Sequence, residues 1–91
     1  MQSTPADQSL VTYPSPFPIK VMGGNVDGFA QAVLEIAQRF DPLLDASLIE
    51  MRPSSGNKYL GVTITVTATS REQLDDLYRA LSSHPLVKVV L

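Results

Sequence analysis

The chain has 91 residues, 44% of them hydrophobic and 18% charged, with no cysteine and a formal net charge of −2. That length and composition support one domain with a small core and exclude a disordered chain. The missing cysteine removes disulfide frameworks, thiol catalysis and cysteine-ligated metal, and the mild acidity argues against electrostatic capture of nucleic acid or an anionic membrane surface.

Residues 1–12 are polar and without periodicity, and read as a tail before a single domain over 13–91. They carry no basic residue and no long apolar run, so no secretory signal is expected. Nor does any stretch reach the roughly 20 apolar residues of a membrane helix, which makes a cytoplasmic protein the expectation.

Pro14, Pro16 and Pro18 precede the first apolar run. Lacking N–H donors, they place residues 13–16 in an extended lead-in outside any ladder, with Pro18 at the start of a strand. Phe17, Ile19 and Val21 alternate with Pro18, Lys20 and Met22, a period-two pattern that predicts a strand over 17–22, ended by Gly23 and Gly24. From Val26 the period changes. Phe29, Val33, Ile36, Ala37 and Phe40 recur at three- and four-residue steps and form one helical stripe. Asn25 or Asp27 can cap that helix, Glu35 and Arg39 form an i,i+4 pair, and Asp41-Pro42 stops it.

Residues 46–52 read as a second strand and 53–57 as a turn rich in serine, glycine and asparagine. The clearest element follows at 59–69, where Val62, Ile64, Val66 and Ala68 alternate with Gly61, Thr63, Thr65 and Thr67. Such alternation gives a strand one apolar face and one hydroxyl-bearing face. Two overlapping capping boxes, Thr69 with Glu72 and Ser70 with Gln73, open a second helix with the stripe Leu74, Leu77, Tyr78 and Leu81. It ends before Pro85, and 86–91 supply a last strand.

The order β-α-β-β-α-β with right-handed crossovers predicts an α+β fold: a ferredoxin-like sandwich of a four-stranded antiparallel sheet with both helices on one face. The other face would show Lys20, Met22, the threonines and Val90, polar enough for water yet able to bury in a partner.

Little in the chain points to catalysis. The single His84, at a helix end, reads as a solvated residue beside the helix dipole rather than a metal ligand, and no metal or cofactor is expected. Ser54 and Ser55 belong to a turn, and Glu72, Asp75 and Asp76 suit the first turns of a helix. Base stacking on a sheet needs aromatic rings on the open face, where this chain has Gly61, Thr63 and Thr65. The stretch GNVDGFA at 24–30 resembles a phosphate loop of the acylphosphatase type. Its arginine position, however, is Ala32, and Asp27 brings negative charge where a phosphate would sit. What remains is Gly23, Gly24 and Asn25 at the junction of first strand and first helix, where backbone could approach a carboxylate or other anion. The same glycines serve a simple turn equally well.

The segments YPSPFPIKVMG at 13–23, RPSSGNKYLGVTITVTATSREQLDDLYRAL at 52–81 and the ending VKVVL resemble the YbeD-like family of small bacterial proteins of uncharacterised function. Tyr13 stands where that family usually has phenylalanine. The resemblance implies a ferredoxin-like fold similar to ACT regulatory domains, which bind small effectors, often amino acids, near the loop after the first strand and between paired domains. It thereby implies Gly23, Gly24 and Asn25 as a ligand site. Two functions are expected to compete: a non-enzymatic, ACT-like binder of an amino-acid-like effector, and an interaction module that docks a protein partner or a second copy through its open sheet face or a strand edge.

Overall fold

Alternation in the two longest strands decides the architecture. The computed structural model describes residues 12–91; the expected tail over 1–12 lies outside the described residues except for Thr12. Strand β1 (Ser15–Gly24) is followed by helix α1 (Phe29–Phe40), strand β2 (Glu50–Pro53), strand β3 (Tyr59–Ala68), helix α2 (Arg71–Ser83) and strand β4 (Val87–Val90). The sheet order is β2-β3-β1-β4 with every neighbouring pair antiparallel, the expected ferredoxin-like arrangement. No helix of the described residues is long and apolar enough to cross a membrane.

β1 and β3 pair in phase. Phe17 lies opposite Val66, Ile19 opposite Ile64 and Val21 opposite Val62, so the apolar side chains of both strands share one face. Onto that face pack Phe29, Val33, Ile36 and Ala37 of α1 and Leu74, Leu77 and Leu81 of α2, all buried. Each large aliphatic or aromatic side chain taken from water there contributes about 1.5–3 kcal/mol, so the helices have one place to go. Among the described residues, nothing forms a covering layer on the opposite face.

The prolines sit deeper in the sheet than their chemistry suggests. The strand starts at Ser15, and Pro16 and Pro18 are ladder members opposite Thr67 and Thr65. Lys20 exchanges backbone bonds with Leu91 on the β4 side (N to O, 3.2 and 2.8 Å), so even-numbered residues of β1 turn their polar backbone groups that way. β4 pairs with Val21–Gly23 and the following Leu91 bonds to Lys20. Among the described residues, therefore, no strand lies beside Pro16 and Pro18 on the side their nitrogens face, where a missing donor costs nothing.

The complementary shortage on β3 is made good by side chains. β2 pairs only with residues 60–63, which leaves Thr67 without a strand neighbour on that side. There the Thr67 N–H donates to Asp41 Oδ2 at 2.9 Å, and the Thr67 carbonyl accepts from Gln73 Nε2 at 3.2 Å. Asp41, just after α1, is buried and also accepts from the Leu43 N–H at 3.3 Å. Gln73 Nε2 donates in addition to the Phe40 carbonyl at 2.9 Å, and its Oε1 accepts from the Thr69 N–H at 2.7 Å. Of the expected Ser70–Gln73 capping box one half forms, with Ser70 Oγ accepting from the Gln73 N–H at 3.0 Å, while the Gln73 side chain takes the Thr69 N–H rather than that of Ser70. Glu72 makes no such bond to Thr69 because Gln73 already holds that N–H. Two side chains thus fasten the end of one helix and the start of the other to the strand between them.

Four local expectations are corrected. α1 begins at Phe29, not Val26, and its N-cap is Gly28 in the left-handed region (φ 89°) with no side-chain cap, because Asn25 is drawn to the hairpin loop instead. β2 begins at Glu50, since Asp45 Oδ1 accepts from both the Ser47 N–H (2.9 Å) and its hydroxyl (2.7 Å) and locks Ala46–Leu48 into a short 3-10 turn. Those bonds hold the exposed Asp45 carboxyl below its ordinary range. Val90 lies opposite Val21 and packs on the helix side; Val89, opposite Met22, takes the open face. Glu35 accepts from Gln31 Nε2 at 3.0 Å rather than pairing with Arg39, and the ion pair among the described residues is Arg79–Asp76 at 2.8 Å.

Removing the Asp41 carboxylate leaves the buried-side Thr67 N–H without a partner, a loss of about 1–3 kcal/mol. Asp41→Ala should lower the melting temperature by at least about 4–8 °C, read by circular dichroism. Gln73→Ala should do likewise, with the double variant less than additive because both side chains serve Thr67. Wild-type melting of Asp41→Ala would contradict the role assigned to it.

Candidate functional site

Gly23, Gly24 and Asn25 occupy the end of β1 and the start of the loop to α1, and they do different jobs there. Gly23 is buried. A Cβ on it would overlap the Leu86 carbonyl and come within 2.6 Å of the Phe29 ring, so the glycine exists to let the entry of β4 and the first residue of α1 close on the strand. Gly24 meets nothing nearer than a Val26 methyl at 4.0 Å. Asn25 is already engaged: its N–H donates to the Lys58 carbonyl at 3.0 Å and its Nδ2 to the Asn57 carbonyl at 3.1 Å. The junction is stitched to the loop between β2 and β3, where Gly56 (φ 83°) and Asn57 (φ 60°) make the left-handed turn.

The helix-free face of the sheet is built differently. In register, Lys20 stands beside Thr63 and Met22 beside Gly61. β2 adds Arg52 beside Gly61 and Glu50 beside Thr63. On the far side β4 adds Val89 beside Met22, and Leu91 follows beside Lys20. Lys20, Glu50, Met51, Arg52, Gly61 and Thr63 line a depression of about 470 Å³. A smaller one of about 140 Å³ continues it past Met22 to Pro53 and Tyr59. Gly61 makes the floor. A Cβ there would lie 3.3 Å from Lys20 Cε and 3.6 Å from the Arg52 carbonyl, so the missing side chain is what lets the lysine stem lie flat across the strand.

Three charged side chains therefore border one depression without pairing to each other or to any described residue. Beside them the apolar rim is open to solvent, with Val89 45% and Leu91 65% exposed. Thr65 continues the polar surface, and Lys58 Nζ sits 5.8 Å from the centre of the Tyr59 ring at the hairpin end. On the other side of β2, Ala30, Gln31, Leu34, Ala46, Ile49 and Met51 line an apolar groove of about 210 Å³.

Charge follows the layers. The strands and the β2–β3 loop carry Lys20, Arg52, Lys58 and Lys88 against Glu50 alone. The described helices and their connections carry seven carboxylates against Arg39, Arg71 and Arg79. A chain of net charge −2 thus has a cationic sheet and an anionic helical layer. Alternation alone finds Lys20, Met22 and the threonines of this face; it leaves Arg52 as a solvated residue flanking the hairpin turn and places neither it nor Glu50 on the face. The signal was the position of the turn at 53–57, which sets the pairing of β2 with β3.

A family model described as "Protein of unknown function (DUF493)" matches residues 8–91. A UPF0250 protein of Leptothrix cholodnii is 63% identical over 91 residues, covering 100% of both chains. One of Ralstonia nicotianae is 60% identical over 89 residues, covering 98% of this chain and 92% of the relative. The solution structure of HP0495 from H. pylori superposes with a TM-score of 0.70 over 100% of this chain and 98% of that one, at 12% identity. That last likeness is one of fold alone.

The packing at the junction separates its two glycines. Gly23→Ala should cost about 1–3 kcal/mol or more in urea denaturation, because β4 and Phe29 must move to admit a methyl group. Gly24→Ala should stay within about 0.5 kcal/mol of the parent, as a change far from any tight contact does. Equal losses at the two positions would contradict the packing role of Gly23.

Proposed function

This chain belongs to the DUF493 family of proteins of unknown function, and we propose that it is a non-enzymatic binding module whose working surface is the helix-free face of its sheet. One observation carries this reading. That face holds Lys20, Arg52 and Glu50, unpaired among the described residues, around a depression of about 470 Å³ bordered by exposed apolar side chains. Charged groups left without partners beside uncovered apolar residues are what a docking surface presents before its partner arrives. A protein partner suits it better than a small ligand, since the charged and exposed apolar features of the face are spread over all four strands.

The ACT-like alternative, an amino-acid-like effector at Gly23, Gly24 and Asn25, has less support. An effector carboxylate needs free donors, and both the N–H and the side-chain amide of Asn25 are already bonded to the hairpin loop. The packed Gly23 offers no open backbone either.

The reading is tested by position. A photo-crosslinking benzoylphenylalanine at Thr65, on the open face, should give discrete protein adducts in cells; the same group at Asp75, exposed on α2, should give few. Adducts from Asp75 and none from Thr65 would overturn the assignment.

A further inference from the structure

Resting on that reading, we propose that the partner presents an acidic segment, its carboxylates directed at Lys20 and Arg52 and an apolar side chain seated against Met22, Val89 and Leu91. The argument is charge complementarity confined to one layer. The sheet side carries four cations against one carboxylate while the helical side is anionic, so the field points an acidic partner at the sheet and away from the helices. The two cations that reach the open face converge on one depression, held there by Gly61, which leaves space for the lysine stem. The apolar rim at β4 is separated from Arg52 by two intervening strands, β3 and β1, so carboxylates and an apolar anchor would be recognised side by side rather than in one spot.

The same charges exclude the other occupants. Two sheet faces placed against each other would bring together surfaces on which two cations outnumber the one carboxylate, Glu50. A sheet face docked on the acidic helices of another copy satisfies charge, yet that contact is heterologous and leads to a ring or an open filament rather than a closed dimer. Nucleic acid suits the face poorly. Two cations are few beside the roughly 6–10 phosphate contacts of a binding surface of that kind, and the exposed aromatic residue at this face is Tyr59 at its margin.

The test uses the whole chain, isotopically labelled, and follows its amide resonances during titration with three probes. These are a peptide of alternating Glu/Asp and Leu, the same peptide with Gln/Asn for the acids, and a single-stranded oligouridine. The acidic peptide should shift Lys20, Met22, Thr63 and Val89, with affinity falling as salt rises. The double variant Lys20→Glu/Arg52→Glu should weaken it about tenfold or more, as should the milder Lys20→Gln/Arg52→Gln to a smaller degree. Both pairs of residues are exposed, so unchanged amide dispersion certifies the fold. Equal shifts from the neutral peptide, no shifts on this face, or preferential binding of oligouridine would each overturn the acidic assignment. So would shifts on this face produced by raising protein concentration alone. Adducts from the Thr65 crosslinker together with indifference to the acidic peptide would overturn this inference and leave the sheet-face reading standing; failure of both removes the two together.

Discussion

The in-phase pairing of β1 with β3 is the constraint on which the rest of the molecule depends. Because Ile19 faces Ile64 and Val21 faces Val62, the buried aliphatic residues of the two central strands lie on one side. Shifting either strand by one residue would send its whole set to the opposite face, so the register is held by the full value of the core. Both helices must cover that side. The other side is then fixed in composition before any function is considered: a row of Pro18, Lys20 and Met22 against a row of Thr65, Thr63 and Gly61. A cationic, hydroxyl-rich face with a glycine floor follows from the same alternation that builds the core.

The limits of the sheet are set by polar accounting. Where β2 ends, Asp41 and Gln73 supply the Thr67 backbone with the acceptor and donor a further strand would have given. Where β4 ends, Pro16 and Pro18 have no donor to leave unpaired. Gly23 adds a steric condition, since only a residue without Cβ lets the Leu86 carbonyl and Phe29 approach β1. These devices let strands of unequal length share one sheet, with both backbone groups of Thr67 bonded beyond the end of β2. They also explain the opening prolines, which belong to the central strand itself.

Much of this was legible in the sequence, for reasons that can be named. Strong periods in 17–22, 29–40, 59–68 and 74–81 reveal strands and helices directly, and their order gives the topology; the motifs at 13–23 and 52–81 led to the family that the comparisons identify. Boundaries fixed by particular side-chain bonds were not legible. Asn25 has the composition of a helix cap but is taken by the Asn57 carbonyl, 32 residues away, and Asp45, by a local bond to Ser47, diverts 46–48 into a turn that competes with strand formation. The face taken by Val90 could not be read from 86–91, where apolar residues stand at both parities apart from Lys88. At the candidate site, Lys20, Met22 and the threonines follow from alternation, whereas Arg52 and Glu50 require the β2–β3 register. The separation of charge between layers is invisible in a composition that averages to mild acidity.

The central claim is that the two sides of this sheet have different roles, one holding the fold and one meeting a partner. The most direct measurement is amide spectroscopy of the labelled chain inside living cells, where its natural partner is present. The account predicts selective line broadening at Lys20, Met22, Thr63, Thr65 and Val89, relieved by Lys20→Glu/Arg52→Glu, with α1 and α2 remaining sharp. Broadening centred on the helices, or a sheet face as sharp in cells as in dilute buffer, would contradict it.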